Sequence, residues 1–65
     1  MALADLRKAA GLTQRQLADA AGIPFQNISR LERGERPISG LSLITASKIA
    51  KALGVHAEDL LETDA

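Results

Sequence analysis

The chain has 65 residues, one histidine, no cysteine and a formal net charge of zero. Its length allows a single domain, residues 1–65, close to the lower limit for a core without cross-links. The missing cysteines exclude disulfides and thiolate metal sites, and one histidine excludes ordinary zinc ligation, so we expect no metal and no cofactor. There is no apolar run long enough to span a membrane and no signal-peptide pattern. We therefore expect a cytoplasmic protein with no membrane partner.

The charges are distributed unevenly along the chain. Residues 1–53 hold eight basic and four acidic residues, a net charge of +4, whereas residues 54–65 hold four acidic residues, a net charge of −4. The basic part is compatible with a nucleic-acid partner. An acidic final helix that only aids solubility explains the pattern equally well, so both interpretations stay open at this point.

Apolar spacing predicts a first helix near the start of the chain. Leu3, Leu6 and Ala10 follow the i, i+3, i+7 pattern of one helical stripe. Gly11 follows in the position that commonly ends a helix.

The second helix, about residues 14–20, has two start signals. Thr13 and Gln16 fit a capping box, in which each side chain bonds the backbone N–H of the other residue. Leu12 and Leu17 have the spacing of a hydrophobic staple. The residues predicted to be buried are Leu17, Ala18 and Ala21.

A tight turn at Gly22 leads into the third helix. Ile23 and Ile28 repeat the staple spacing, Pro24 suits the first helical position, and Gly34 stops the helix. Two helices joined this closely cross steeply and leave one face of the second helix exposed. This is the geometry by which a helix is laid in the major groove of DNA.

The rest of the chain predicts a loop and two more helices. The loop covers residues 35–40 around Pro37. The fourth helix spans about 41–53 and ends at Gly54, with one apolar face. Val55 and Leu60 bracket a short fifth helix as another staple. The pattern contains no strand signal, so the predicted fold is all-α, a compact globule of five helices. The apolar face of the fourth helix comprises Ala46, Ile49, Ala50 and Leu53.

A helical wheel identifies the outward face of the third helix. Ile28 and Leu31 define the buried direction, and Phe25 falls on the flank. The far side carries polar side chains suited to base edges: glutamine bonds adenine, arginine bonds guanine, and serine bonds either. Polar residues are also what any soluble helix shows to water. The residues on this side are Gln26, Ser29, Arg30 and Arg33.

The segment GLTQRQLADAAGIPFQNISRLERG, followed by a charged loop and KIAKALGV, resembles the Cro/repressor-type (XRE-like) helix-turn-helix family over about residues 3–61. The resemblance implies a repressor-like domain whose helices 2 and 3 form the helix-turn-helix, with helix 3 as the recognition helix. It implies base contacts by Phe25, Gln26, Ser29 and Arg30. It implies contacts to the DNA backbone by Gln14, Asn27, Arg33 and Arg36.

The family pattern also implies structural roles and shows two departures. Arg7 is expected to pair with Glu32, and dimer contacts are expected from Val55, Leu60 and Leu61 on the last helices. Pro24 replaces the usual Ser or Thr cap of the recognition helix. Phe25 stands where a polar base contact is common, and either contacts a thymine methyl group or folds back onto the core.

The resulting hypothesis is a sequence-specific DNA-binding repressor that acts as a homodimer on a two-fold operator. We expect no enzyme, because His56 is the only imidazole and no catalytic cluster surrounds it. No small-molecule ligand is indicated. The alternative is a protein-interaction module, or an antitoxin-like partner of a second protein, with weak or no DNA binding. Zero net charge and Phe25 favour this alternative.

Overall fold

The computed structural model describes residues 2–64 and confirms the all-α fold, with five α-helices and no strand in that range. No helix within it is long and apolar enough to cross a membrane. Two 3₁₀ turns, Ile38–Gly40 and Glu62–Asp64, complete the regular structure. The helices are α1 (Leu3–Ala9), α2 (Gln14–Ala21), α3 (Phe25–Glu32), α4 (Leu43–Leu53) and α5 (Ala57–Leu61).

The helices enclose one apolar core in a body of 23 × 21 × 20 Å. Helix α2 lies at its centre and packs most extensively against α4 and α3. Four fully buried side chains, one from each of α2 to α5, form the middle of this core: Leu17, Ile28, Ile49 and Leu60. Because α2 is held from both sides, the position of α3 is fixed relative to the rest of the domain.

Side-chain caps start α2 and α4 as their sequences require. The Thr13 hydroxyl accepts the Gln16 backbone N–H at 3.1 Å, and the side-chain Oε1 of Gln16 accepts the Thr13 backbone N–H at 2.9 Å, which confirms the capping box. The Ser42 hydroxyl accepts the N–H of Thr45 at 3.1 Å, so α4 begins at Leu43, two residues later than predicted.

The start of α3 differs by one residue from the prediction. Pro24 is the N-cap, with φ −61° and ψ 142°, and α3 begins at Phe25. The Pro24 carbonyl accepts the Asn27 N–H at 3.0 Å, but no side chain caps the helix. The first turn of α3 therefore lacks the cap that α2 and α4 have.

Three predictions about burial and local structure are wrong. Ala10 is exposed, although its spacing placed it on the stripe of α1. Residues 35–40 are not all loop, because Ile38 opens a 3₁₀ turn and is buried. Leu60 is completely buried in the core and cannot contact a second subunit. Its staple position places it inward, where it joins the core rather than a dimer interface.

The turn between α2 and α3 depends on Gly22. This glycine has φ +68°, in the left-handed region that side chains disfavour. Its N–H donates to the Asp19 carbonyl at 3.2 Å, and the Ile23 N–H donates to the Ala18 carbonyl at 3.0 Å. These two bonds are the pair that closes a helix in the Schellman motif. The direction of the chain into α3 is thereby set.

Gly22→Ala should lower the free energy of unfolding by about 1 kcal/mol through backbone strain alone. An added Cβ would meet no atom within 4 Å, so steric clash contributes nothing. Gly40→Ala is the matched control, because Gly40 lacks a positive φ and its Cβ would lie an ordinary 3.5 Å from Pro37 Cγ. Urea unfolding followed by circular dichroism measures both. Equal losses would contradict the strain argument.

Candidate nucleic-acid interface

An ion pair between Arg7 and Glu32 joins α1 to the last residue of α3. Arg7 Nε donates to Glu32 Oε2 at 2.6 Å, and the Arg7 Nη2 donates to Glu32 Oε1 at 3.2 Å. The Arg7 Nη1 donates to the Leu12 carbonyl at 2.8 Å, in the connection before α2. One guanidinium thus links α1, the connection and α3, with the two-pronged geometry that makes Arg–carboxylate pairs specific.

Gln14 adds α2 to the same network. Its Nε2 donates to Glu32 Oε1 at 3.0 Å, so the amide braces the end of α3. The side chains of Arg7 and Glu32 are only 13% and 7% exposed. We call Arg7, Gln14 and Glu32 the polar hub. The amide nitrogen of Gln14 keeps a second hydrogen that a DNA phosphate could accept.

The hub favours the charged form of Arg7. Hydrogen bonding to the Glu32 carboxylate raises the pKa of Arg7 above its usual value, and the charge of Glu32 adds to this, against the opposing effect of burial. Because the pKa is raised, the charged form of Arg7 is the one that the fold stabilises.

The outward face of α3 displays two polar side chains directly to solvent. Gln26 and Arg30 are exposed and lie one helical turn apart. Ser29 is half-buried beside them, less open than the wheel suggested, and Asn27 is half-buried on the other flank. Ile28 and Leu31 anchor the opposite side of the helix in the core.

The basic residues after α3 are exposed and differ in their partners. Arg33 forms an ion pair with Glu35, two residues on, with both side chains more than half exposed. Such surface pairs contribute little to stability, so a phosphate could displace Glu35 at small cost. Arg36 is exposed beside Gly34 and Pro37. These two arginines extend the polar face of α3 beyond its end.

Phe25 packs against the core and is half-buried. The guanidinium of Arg15 lies over its ring, with Cζ 5.0 Å from the ring centroid. Sequence reasoning missed Arg15 as an interface residue. The two residues lie on different helices, so no helical periodicity connects them, and only the basic–aromatic combination signals the contact.

Exposed apolar side chains lie on the side formed by α4 and α5. Leu43, Ile44 and Leu61 are 80%, 71% and 52% exposed, and we call these three residues the apolar patch. A groove of about 330 Å³ runs beneath Leu43 and Leu61. Val55 is half-buried against the core and adds little outward surface. Sequence reasoning missed Leu43 and Ile44, although a wheel drawn on Ile49 and Leu53 places Ile44 outward.

Comparison with known proteins agrees with this geometry. A helix-turn-helix family model matches residues 3–60. The chain belongs to the helix-turn-helix family. Within it, the sequence is of the Cro/C1 type, as the resemblance indicated. Helix-turn-helix regulators of this kind bind double-stranded DNA, and the α2–turn–α3 unit with its exposed polar face is the corresponding element here.

Two curated relatives cover most of the helix-turn-helix chain. An uncharacterized HTH-type transcriptional regulator of Methanothermobacter thermautotrophicus is 46% identical over 59 residues, which is 89% of this chain and 81% of the relative. The uncharacterized HTH-type transcriptional regulator y4dJ of Sinorhizobium fredii is 42% identical over 62 residues, which is 94% of this chain and 77% of the relative. No solved structure matches the chain significantly.

Removing one partner of the hub should cost more than removing both. Glu32→Leu leaves the Arg7 charge partly buried and unpaired, and we expect a loss of roughly 3 kcal/mol in the free energy of unfolding. Arg7→Met combined with Glu32→Leu should recover a large part of this loss. Thermal unfolding of the two variants and the wild type makes the comparison. Additive losses from Arg7→Met and Glu32→Leu would show that the pair acts as two independent surface charges.

Proposed function

We propose that the protein is a sequence-specific DNA-binding transcriptional regulator that places α3 in the major groove. The observation that carries the proposal is the exposed pair Gln26 and Arg30, presented by a helix whose opposite side is anchored in the core. The network around Glu32 supports it, because Arg7 and Gln14 hold the end of α3 while leaving that face open. A rigid element is what base recognition needs.

The side chains on this surface divide by chemistry into two sets. Gln26 suits the N6/N7 edge of adenine and Arg30 suits the O6/N7 edge of guanine, with Ser29 a shorter contact to either base. Residues around this centre are proposed to bind phosphate and to set the register of the protein on DNA. They are Gln14, Asn27, Arg33 and Arg36.

We further propose that the regulator acts as a homodimer, because one recognition helix covers only a few base pairs. Two copies about one helical turn of DNA apart, roughly 34 Å, would bind a two-fold site. Exposed apolar residues mark interaction sites when they cluster. In the apolar patch, Leu43 and Leu61 line one groove and Ile44 follows Leu43 in α4, and a second copy of the chain is the occupant that we propose for it.

Charge complementarity supports a second copy on the apolar patch. Lys48 and Lys51 follow Ile44 on the outward face of α4, at i+4 and i+7. Glu58 and Glu62 flank Leu61 on the α5 side, and both are exposed. A two-fold axis brings one surface against itself. The basic side of one copy can then meet the acidic side of the other, so the acidic C-terminal charges have a role besides solubility.

Repression and cytoplasmic location belong to the same proposal. A dimer bound to an operator would block the access of other proteins to the overlapping DNA. Such a protein must share a compartment with the DNA, which in our proposal is the cytoplasm. The alternative, a partner-binding module with little DNA affinity, draws on the zero net charge and on the apolar patch. The alternative predicts no enrichment of any DNA site together with capture of a different protein by the patch.

Residues that contact bases and residues that contact the DNA backbone should differ in how their substitution changes DNA binding. Gln26→Ala and Arg30→Ala should each relax the preference at one base pair, at a cost of about 1–3 kcal/mol for the selected site. Arg36→Ala should weaken all sequences alike and reduce the salt slope, the change of log affinity with log salt, by about 1. Selection from random-sequence DNA at fixed salt is the measurement. If all three variants lose affinity equally for every DNA sequence, the division into base contacts and backbone contacts is wrong.

Ile44→Lys should convert the dimer to a monomer without unfolding it. The side chain is 71% exposed, so its loss removes little core packing, whereas an ammonium group in place of an apolar contact would have to lose its hydration in the interface, which opposes association. Sedimentation equilibrium gives the mass and thermal unfolding checks the fold. Ala9→Lys, at an exposed position of α1, is the matched control and should leave the dimer intact. A dimer that persists in Ile44→Lys combined with Leu61→Lys would place the interface elsewhere.

A further inference from the structure

Arg15 has no role in the family pattern, yet its guanidinium lies over the ring of Phe25 in the candidate interface. Arg15 lies in the first turn of α2 and Phe25 is the first residue of α3, so the contact bridges the two helices at their N-terminal ends. The guanidinium carbon is 5.0 Å from the ring centroid, within the range of a cation–π interaction.

This contact changes what Phe25 can offer to DNA. The ring packs against the core and carries the Arg15 guanidinium over its face, so its apolar surface is already occupied. The core and the Arg15 guanidinium therefore leave less of the ring open to a thymine methyl group. The exposed Arg15 therefore adds a positive charge beside the start of α3.

Arg15 keeps its hydrogen-bonding capacity for a ligand. Within residues 2–64 its guanidinium takes part in no hydrogen bond or salt bridge, and its side chain is exposed. Arginine has five N–H donors, and the aromatic face uses none of them. Stacking also restricts a long, flexible side chain, which reduces the entropy lost when it binds.

We propose that Arg15 binds a DNA backbone phosphate beside the recognition helix, and that Phe25 is its positioning residue rather than a base contact. The proposal rests on the proposed DNA-binding function. In a helix-turn-helix the first helix of the pair crosses the DNA backbone while the second enters the groove. Arg15 is in the first turn of that first helix, where the helix dipole adds positive potential, and a guanidinium matches phosphate with two parallel bonds.

A double-mutant cycle on the DNA-bound protein tests the pair. The variants are Arg15→Ala, Phe25→Leu and both together, measured on the DNA site that the wild type enriches, over a series of salt concentrations. Arg15→Ala should weaken binding roughly tenfold and lower the salt slope by about 1, with no change in base preference. Phe25→Leu should weaken binding by a smaller factor, and the double variant should be no weaker than Arg15→Ala.

Controls separate positioning from fold and from general charge. Phe25→Tyr keeps an aromatic face and should bind like the wild type. Arg15→Lys keeps the charge and should keep the salt slope. In this variant a change at Phe25 should affect the DNA affinity much less, because an ammonium lacks the flat surface that stacks on the ring. Lys8→Ala removes an exposed cation of α1 and should change the affinity much less than Arg15→Ala. Urea unfolding of each variant confirms that the protein under test is folded.

Three results would overturn the proposal. If Arg15→Ala binds DNA as tightly as the wild type, Arg15 makes no phosphate contact. If the losses of affinity in Arg15→Ala and Phe25→Leu add up in the double variant, Phe25 does not position Arg15. A loss confined to one base pair makes Arg15 a base contact instead of a phosphate contact. Each of these arises with a wild type that enriches a DNA site. A wild type that enriches none contradicts the proposed function itself, so the two failures are distinguishable.

Discussion

The Arg7–Glu32 ion pair is the interaction on which the position of α3 depends. Glu32 is the last residue of α3, where the negative end of the helix dipole disfavours a carboxylate. It is nearly buried, and the guanidinium of Arg7 and the amide of Gln14 compensate its charge. A buried pair of this kind fixes packing more than it adds stability. Three helices are thereby joined at one carboxylate.

The two ends of α3 are held in different ways. The C-terminal end is held by the polar hub and closed by Gly34, while the N-terminal end lacks a side-chain cap because Pro24 occupies the N-cap. The stack of Arg15 on Phe25 supplies a contact at that end. Between these points Ile28 anchors the helix in the core. The face with Gln26 and Arg30 therefore stays open while the helix itself has little freedom to move.

Local features of the fold could be predicted from the sequence, and long-range contacts could not. The capping box at Thr13 and the left-handed Gly22 are encoded within a few neighbouring residues, so their spacing was sufficient. The wheel correctly placed Gln26 outward. Leu60 was misassigned to a dimer contact although its staple spacing with Val55 already pointed it inward, where it is completely buried. The contact between Arg15 and Phe25 was not predicted, because it joins residues of two different helices and no helical spacing connects them.

The most direct test of the account follows backbone amide resonances of the protein by two-dimensional NMR as an enriched DNA site is added. We predict that the large shifts cluster at the start of α2 and along α3, with Gln14, Gln26 and Arg30 among them. Residues of the apolar patch should show the same resonances with and without DNA when the protein is dimeric throughout. Shifts centred on Leu43, Ile44 and Leu61, with α3 unaffected, would contradict the assignment of α3 as the element that contacts DNA.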